Sequence, residues 1–276
     1  MDEVDLRRDP LPLRGRTVLV TGVSRRAGVG YAIARRVAAY GASVVCHHYA
    51  AHDAEKPWGA DDLAAVVEGV REQLTEGATL VDLDADLTLD GAPEQVVAQA
   101  VEAVGHVDAL VCNQGMRGPD AAVGTLTGEM LDRHFAVNTR ASLLLTQAYA
   151  RQHDPGRPGA VVYLTSGQGL GPMPGEVAYA AAKGALAGVT TTVADQLADE
   201  RIRVNTVNPG PVDTGYVTAE EWASMAPMFP FGRYGRPDDP ARLVAWLLTD
   251  EAEWVSGQVI SSEGGFGRWR PRGRPS

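Results

Sequence analysis

The chain has 276 residues, 45% of them hydrophobic, and carries a formal net charge of −10 with a pI near 5.1. This length and apolar content suffice for one large α/β domain, whereas the acidic balance argues against a nucleic-acid-binding protein, which needs a basic surface. The chain has no apolar run of about 18 residues, no signal peptide and only two cysteines, so we expect a cytoplasmic protein without membrane spans or disulfides.

The two ends of the chain are expected to be flexible. Residues 1–12 carry mixed charges and two prolines, and residues 268–276 combine arginine with proline and glycine. Frayed termini commonly have this composition, although the basic tail could alternatively bind a partner. Residues 13–267 between them are predicted to form one domain.

Short apolar segments alternate with helix-like segments throughout this domain. Strands are predicted at residues 17–20, 43–46, 79–81, 109–112, 160–165, 203–207 and 258–260. Helices are predicted at residues 30–40, 61–76, 93–104, 135–150 and 240–248, and around Tyr179. The alternation predicts a single doubly wound, Rossmann-type α/β domain with a mostly parallel seven-stranded sheet. Ligands of such sheets bind beside the carboxyl ends of the strands.

Two stretches interrupt this alternation and are interpreted as insertions, residues 50–59 and residues 213–236. The second stretch contains apolar side chains such as Trp222 and Phe229 among prolines and glycines. Loops of that length are uncommon unless they are functional. We therefore expect a mobile cover over a substrate pocket, with an oligomer contact as the alternative.

A glycine-rich loop follows the first predicted strand and opens the first predicted helix, over residues 21–30. Glycines allow the backbone to turn tightly, and the amides and dipole at a helix N-terminus favour a diphosphate. This position in an α/β chain predicts a dinucleotide site. Its candidate contacts are Gly22, Ser24, Arg25, Arg26, Gly28, Val29 and Gly30.

The residues after the second predicted strand indicate which dinucleotide is bound. An acidic residue there would accept ribose hydroxyls and repel a 2′-phosphate, but the chain has His48 and Tyr49, both candidate contacts. The lack of an acidic residue there, together with Arg25 and Arg26, favours NADP(H) as the cofactor. NAD(H) is the alternative. The neighbouring histidines lack the spacing of a ligand set, so no metal is expected.

Lys183 is one of only two lysines among 25 basic residues, and it stands four positions after Tyr179. In a helix both side chains lie on one face, and Ser166, thirteen positions before Tyr179, ends a predicted strand. A phenol needs a nearby positive charge to act as an acid or base at neutral pH. An ammonium about 5 Å away contributes about 3 kcal/mol, or roughly 2 pK units. These three side chains are candidate catalytic residues.

With these motifs the chain resembles the short-chain dehydrogenase/reductase family over residues 13–266. The resemblance implies a catalytic tetrad of Asn138, Ser166, Tyr179 and Lys183. Ser166 would hold the substrate oxygen, and Tyr179 would exchange the proton. Lys183 would bind the nicotinamide ribose and lower the pKa of the phenol, and Asn138 would hold a water that links the lysine to solvent. Hydride would pass between the nicotinamide and the substrate carbon.

The same resemblance adds cofactor contacts beyond the glycine-rich loop. The pair Asp86-Leu87 resembles the residues that contact adenine, and Asn113-Gln114-Gly115 resembles the Asn-Ala-Gly motif after the fourth strand. Residues 208–214 resemble the segment that meets the nicotinamide and the phosphates. The candidate contacts from these motifs and the tetrad are Asp86, Leu87, Asn113, Gly115, Tyr179, Lys183, Pro209, Gly210, Val212 and Thr214.

The chain departs from the family pattern at two places. The glycine-rich loop is longer by two residues, which leaves open which of Ser24, Arg25 and Arg26 contacts phosphate. Gln114 replaces the usual alanine, and its longer amide is expected to narrow the nicotinamide site or to make a polar contact there.

The resemblance implies an NADP(H)-dependent carbonyl reductase or alcohol dehydrogenase, similar to 3-oxoacyl-carrier-protein reductases. Its partners would be small carbonyl or alcohol substrates, including those linked to an acyl carrier or CoA. Alternatives are a sugar or polyol dehydrogenase, a tailoring ketoreductase of secondary metabolism, and a non-catalytic dinucleotide-binding sensor or scaffold. An enoyl reductase is disfavoured because that branch places its lysine farther from the tyrosine. A homotetramer, or otherwise a homodimer, is expected.

Overall fold

The computed structural model describes residues 7–56, 59–215 and 217–267. The predicted basic tail at 268–276 and the first six residues lie outside the described residues. No helix within the three described ranges is long and apolar enough to cross a lipid bilayer.

Seven parallel strands form one sheet, in the order β3-β2-β1-β4-β5-β6-β7. The strands are β1 (Thr17–Thr21), β2 (Ser43–His48), β3 (Leu80–Asp84), β4 (Ala109–Cys112), β5 (Gly159–Leu164), β6 (Ile202–Asn208) and β7 (Val259–Ser261). Apolar and β-branched residues dominate the central strands, which suits a parallel sheet covered on both faces. The predicted doubly wound, seven-stranded fold is confirmed.

Nine α-helices in the described part of the chain connect these strands or precede the last of them. They are α1 (Val29–Ala39), α2 (Ala50–Ala54), α3 (Leu63–Arg71), α4 (Ala92–Val104), α5 (Gly128–Phe135), α6 (Ala141–Gln152), α7 (Val177–Gln196), α8 (Ala219–Met225) and α9 (Asp238–Leu247). The strand order reverses between β1 and β4. A doubly wound sheet binds its ligands in the crevice at that point, beside the carboxyl ends of the strands.

The hydrophobic core consists of two layers, one on each face of the sheet. Val18 and Val20 of β1 face one layer and Leu19 faces the other, as the two-residue period of a strand requires. The first layer packs against α1, α3 and α9, and the second packs against α4, α6 and α7. Cys46 and Cys112 are free thiols buried in different layers.

The helix predicted at residues 135–150 is not continuous. It consists of α5 and α6, joined by a π-helical turn over Ala136–Arg140. The turn contains the buried side chains of Asn138 and Thr139, and the Thr139 hydroxyl donates to the carbonyl of Ala182 in α7 at 2.8 Å. Local π-helical turns of this kind often occur at functional sites, and a 3.6-residue periodicity does not reveal them.

Both stretches interpreted as insertions contain short helices. The stretch at 50–59 contains α2, and the stretch at 213–236 contains α8. A capping box starts α8, since the Thr218 hydroxyl accepts from the Glu221 backbone N–H and the Glu221 carboxylate accepts from the Thr218 N–H. We call residues 213–236 the cover segment. That it covers a substrate stays a prediction.

Candidate active site

A cleft of about 600 Å³ lies at the carboxyl ends of β1, β2, β3 and β4. The predicted cofactor contacts that line it are Gly22, Ser24, Arg25, Gly28, Val29, Gly30, Tyr49, Asp86, Leu87, Asn113, Gly115 and Thr214. The predicted contacts that do not line it, all of them described residues, are Arg26, His48, Tyr179, Lys183, Pro209, Gly210 and Val212. The structure thus brings the glycine-rich loop, the adenine-side pair and the motif after β4 to one cleft.

Close packing at the start of this cleft explains the glycines of the loop. Gly22 has a φ of +72°, a conformation that favours glycine. A Cβ on Gly30 would lie 2.4 Å from the Gly22 carbonyl oxygen and 2.5 Å from Asn113 Nδ2, so a larger residue does not fit. The Asn113 amide donates to the carbonyls of Thr21 and Gly22 at 3.0 and 3.1 Å. The N-terminus of α1 is thereby fixed at the cleft, which suits an anionic diphosphate.

The two arginines of the glycine-rich loop have different partners. Arg25 lines the cleft and donates to the carbonyl of Thr214, at the start of the cover segment, at 2.9 Å. The Arg26 guanidinium lies 3.7 Å from the Asp61 carboxylate, which also accepts the Arg26 backbone N–H at 2.7 Å. Of the two side chains, Arg25 is the one that the cleft presents to a ligand.

The two histidines at the end of β2 also point in different directions. The ring nitrogens of buried His48 lie 3.4 Å from Asp82 and 3.3 Å from Asp84, two carboxylates of β3. His47 lines the cleft, and its Nε2 lies 2.9 Å from the Ala85 carbonyl oxygen. Burial lowers the pKa of the His47 imidazole to about 4, so the ring is neutral and donates from Nε2. His48, the predicted cofactor contact, therefore faces β3. Its neighbour His47 lines the cleft instead.

Lys183 and Tyr179 lie in the first two turns of α7. Lys183 is 4% exposed, and its Nζ donates to the carbonyl of Leu164, the last residue of β5, at 2.8 Å. Ser166 follows Leu164 by two residues, so the lysine anchors α7 to the strand end that carries this serine. Burial lowers the pKa of the Lys183 ammonium to about 8, because the charged form loses its hydration.

Asn138 lies in the π-helical turn with 0% of its surface exposed. Its Oδ1 accepts the backbone N–H of Met116 at 3.0 Å, and its Nδ2 donates to the Met116 carbonyl at 3.1 Å. A Cβ on Gly115 would lie 3.5 Å from Asn138 Oδ1 and 3.7 Å from Lys183 Nζ. Asn138 and Lys183 therefore meet at Gly115, a residue that lines the cleft.

Comparison with known proteins agrees with this architecture. A family model described as enoyl-(acyl carrier protein) reductase matches residues 22–267. The uncharacterised oxidoreductase YjdA of Bacillus subtilis is 38% identical over 250 residues, which cover 90% of this chain and 95% of the relative. The chain belongs to the short-chain dehydrogenase/reductase family. It is an NAD(P)-dependent oxidoreductase.

Two similar proteins carry more specific names. This short-chain dehydrogenase/reductase is 34% identical over 271 residues to the chloroplastic NADPH-dependent aldehyde reductase-like protein of Arabidopsis thaliana, covering 93% of this chain and 96% of the relative. A solved structure of LugOII, a promiscuous reductase that catalyses keto-reduction at C1 during lugdunomycin biosynthesis, is similar with a TM-score of 0.80 and 32% identity. The match covers 92% of this chain and 99% of LugOII.

Gln114, where the short-chain dehydrogenase/reductase family usually has alanine, bonds within the protein. Its Oε1 accepts from the Thr21 hydroxyl at 2.5 Å, and its Nε2 donates to the Ser142 hydroxyl at 2.8 Å and to the Val137 carbonyl at 3.3 Å. The amide thus ties β1 to α6 and to the turn that carries Asn138. The polar contacts expected of this residue are made with the fold that supports the site.

Sequence reasoning missed a carboxylate in the cleft of this short-chain dehydrogenase/reductase. Asp53 of α2 is 8% exposed, lines the cleft and accepts from the Ser24 hydroxyl at 2.5 Å. Glu55 lines the same cleft. The chain thus has no acidic residue directly after β2, but it has one in the cleft several residues later, on a helix that the apolar pattern does not predict. Within the described ranges, no group of three or more His, Cys, Asp or Glu side chains could hold a metal ion.

Sequence reasoning also missed two residues that contact the start of α7. Asp120 accepts the backbone N–H groups of Ala178 and Tyr179 at 2.9 and 2.8 Å. Burial alone would raise the pKa of Asp120, but these bonds and one from Ala121 outweigh it and lower the pKa below its usual value. His134, fully buried, packs edge-on against the Tyr179 ring. Only a short Gly-Pro-Asp turn signal marks the first of these residues, and no pattern marks the second.

Proposed function

We propose that this protein is an NADP(H)-dependent oxidoreductase that transfers hydride between the nicotinamide and a carbonyl or secondary alcohol. The observation that carries the proposal is the buried ammonium of Lys183, one turn after Tyr179 and bonded to the strand end that carries Ser166. A buried cation one helical turn from a phenol is an arrangement that suits a tyrosine acid.

The residues of the site have distinct roles in this proposal. The nicotinamide, when bound, supplies or accepts the hydride. Ser166 holds the substrate oxygen, and Tyr179 donates a proton to that oxygen during reduction and accepts it during oxidation. The Lys183 ammonium has one N–H donor on the Leu164 carbonyl, and its other two donors would be available to a ribose hydroxyl of the cofactor and to the Tyr179 oxygen. Asn138 holds the water through which the lysine exchanges protons with solvent.

A carbonyl substrate fits better than a carbon–carbon double bond. The family model carries the name of an enoyl reductase, but the four-residue spacing of Tyr179 and Lys183 resembles the carbonyl-reducing branch. The similarity to LugOII favours a narrower second candidate, a tailoring ketoreductase of secondary metabolism. All four tetrad residues are present, which argues against a non-catalytic sensor or scaffold.

Replacement of Tyr179 by phenylalanine tests the proposed chemistry. Loss of the hydroxyl removes the proton donor and should lower kcat about 10²–10⁴-fold, whereas the Kd of the cofactor should change little. The measurement is NADPH consumption with a panel of ketones, with 2-enoyl thioesters assayed in parallel. A parent protein that reduces the enoyl thioesters and none of the ketones would contradict the proposal, and so would a variant as fast as its parent.

We further propose that Arg25 gives the protein a preference for NADP(H). An arginine contact to the 2′-phosphate contributes roughly 1.5–3 kcal/mol, or about 10–100-fold in affinity. The carboxylates of Asp53 and Glu55 line the same cleft and oppose this preference. The ratio of kcat/KM for NADPH over NADH should fall in Arg25→Gln and rise in Asp53→Asn. A ratio near one in the parent, or shifts of the same sign in both variants, would refute the assignment.

Three finer expectations stay predictions. They are a homotetramer or otherwise a homodimer, substrates that include acyl-carrier- or CoA-linked carbonyls, and a cytoplasmic location. The NADPH-dependent name of the Arabidopsis thaliana relative supports the proposed cofactor, and the LugOII name supports keto-reduction.

A further inference from the structure

A buried histidine outside the tetrad contacts two of the tetrad residues. His134, in α5, is 0% exposed. Its Nδ1 lies 3.4 Å from Nδ2 of Asn138, one helical turn later. Its ring lies edge-on to the ring of Tyr179, with centroids 6.0 Å apart and an angle of 77° between the planes. One side chain thus lies between the π-helical turn and the start of α7.

The surrounding groups determine which nitrogen of His134 carries the proton. The Pro119 carbonyl, 3.1 Å from Nε2, can only accept, so Nε2 carries a hydrogen and donates it. The Met116 backbone N–H can only donate, which identifies its partner on Asn138 as the amide oxygen. The amide nitrogen of Asn138 therefore faces both the Met116 carbonyl and His134 Nδ1. In the neutral ring, Nδ1 accepts the second amide hydrogen.

Both amide hydrogens of Asn138 are then in use, whereas its oxygen, which accepts one hydrogen bond, keeps a second lone pair. Its oxygen binds the Met116 N–H, and its two hydrogens go to the Met116 carbonyl and to His134. Without the Nδ1 acceptor, one buried N–H would be left without a partner, and the amide would turn or draw in water. Such a movement would occur beside Gly115, where Asn138 and Lys183 meet.

We infer that His134 is a positioning residue of the active site, which fixes the Asn138 amide through Nδ1 while its ring packs against Tyr179. This inference rests on the proposed function, because the positioned groups are those of the proton-transfer chemistry. A second contact supports it: Asp120, whose carboxylate lies 3.8 Å from His134 Nε2, accepts the Tyr179 backbone N–H. The histidine, the aspartate and the start of α7 form one buried contact region.

Two substitutions at position 134 distinguish the role of the Nδ1 acceptor from the role of the rest of the ring. In His134→Asn the shorter amide sits close to the place of Nδ1 and can accept from Asn138. In His134→Gln the longer amide reaches towards the Pro119 carbonyl and leaves the Nδ1 position without an acceptor. We expect His134→Gln to lower kcat about 5–100-fold and His134→Asn to stay within about threefold of the parent. KM for the ketone and Kd for NADPH should change little in both.

His153 provides a matched control for loss of stability. It is also a buried histidine, and its Nε2 also lies 3.1 Å from a backbone carbonyl, that of Arg157. His153→Gln should lower the melting temperature as His134→Gln does, but it should leave kcat per folded molecule unchanged. If His134→Gln behaved like the control, or if the two variants at position 134 lost kcat equally, the positioning role would be refuted.

A measurement without turnover keeps this inference distinct from the proposed function. Long-range ¹H–¹⁵N spectra of the parent protein distinguish the two neutral tautomers of a histidine, and we expect His134 to carry its hydrogen on Nε2. The side-chain amide signal of Asn138 should shift in His134→Gln far more than in His134→Asn. A hydrogen on Nδ1, or equal amide shifts, would overturn the inference. A parent that shows the expected spectra but reduces no carbonyl would instead refute the proposed function.

Discussion

The catalytic corner and the cover segment of this molecule are held in different ways. We define the catalytic corner as Gly115, Asn138, Tyr179 and Lys183. The Asn138 and Lys183 side chains are buried, and each is bonded to backbone groups of another element. In the cover segment, none of the residues of α8, all of which the structure describes, is buried.

Aromatic contacts join several parts of the cover segment, in addition to its hydrogen bonds. The ring centroid of Trp222 lies 5.2 Å from that of Tyr234 and 5.8 Å from that of Phe229, which in turn lies 4.9 Å from Phe266. Hydrogen bonds prefer a narrow range of angles, whereas aromatic pairs occur in both offset-stacked and edge-to-face arrangements. We therefore expect the fold to restrain the catalytic corner more strongly than α8 of the cover segment, none of whose residues is buried. Substitutions in the two regions should accordingly change different quantities.

Lys183→Arg should have the largest effect, because it alters the centre of the catalytic corner. A planar guanidinium cannot both hold a ribose hydroxyl and approach the phenol as the compact ammonium does. We expect kcat/KM for ketone reduction to fall about 100-fold or more. Steady-state kinetics with NADPH measure this effect, and a variant with at least a tenth of the parental kcat/KM would contradict it.

The pH dependence of kcat/KM in the parent and in Lys183→Arg provides a second test. Because burial lowers the pKa of Lys183 to about 8, the free parent enzyme loses its ammonium as the pH rises through that value. Parental kcat/KM for NADPH should therefore fall above about pH 8, since this parameter reports the ionisation of the enzyme before the cofactor binds. Arginine stays charged at these pH values, so the variant should lack this decline. Identical pH profiles would show that another group causes it.

Asp120→Asn should reduce stability more than it reduces chemistry. The carboxylate accepts the backbone N–H groups of Ala178, Tyr179 and Ala121, and replacing it removes the charge that strengthens these bonds. We expect the free energy of unfolding at pH 7 to fall by about 1–3 kcal/mol in urea denaturation. Because the folded pKa of Asp120 is lowered, its contribution is present above the unfolded pKa near 4 and is lost as the pH falls through the folded value.

The difference between Asp120→Asn and the parent should therefore shrink in acid. Asp154 is a suitable control, because it also accepts a backbone N–H, that of Gly156 at 2.9 Å, but lies at an exposed site. Asp154→Asn should change stability by less than about 0.5 kcal/mol at either pH. A constant difference between pH 7 and acid for Asp120→Asn would show that its carboxylate charge does not stabilise α7.

The fold could be predicted because its signals are local. Seven apolar segments of strand length separated by helix-like segments specify a parallel sheet, and all seven strands form close to their predicted positions. The four-residue spacing likewise places Tyr179 and Lys183 in one helix, α7. The π-helical turn at Asn138 escaped prediction because its cause is tertiary, through bonds to segments such as the one at Met116.

The directions of side chains in the cleft could not be predicted for a related reason. Arg26 and His48 are predicted to contact the cofactor from their positions along the chain. In the structure Arg26 lies against Asp61, and His48 lies against Asp82. Both carboxylates come from other elements, and one sequence does not show which distant residues will meet. His134 escaped notice in the same way, since its partners at Pro119 and Tyr179 lie on other segments.

Trp222→Ala should have the smallest effect of the three substitutions, and it should alter substrate choice rather than chemistry. Trp222 lines a second cavity of about 350 Å³, together with Tyr234 and Gly235 of the cover segment. Its removal enlarges that cavity while the bonds of the catalytic corner stay as they are. We expect the ratio of kcat/KM for bulky over small ketones to rise roughly 3–10-fold, less than the about 10–200-fold that one methylene contributes in a closely fitting pocket. The Kd of NADPH should not change.

Trp254 is the matched control for this last substitution, because it is 96% exposed and lies in the segment between α9 and β7. Trp254→Ala should leave the ratio of the two ketones unchanged, since the exposed indole makes few contacts that its loss could alter. If Trp222→Ala also left the ratio unchanged, the cover segment would not contact the substrate. If it lowered kcat for every ketone by the same factor, the cover segment and the catalytic corner would be coupled, and the division between a strongly restrained corner and a less restrained cover would be wrong.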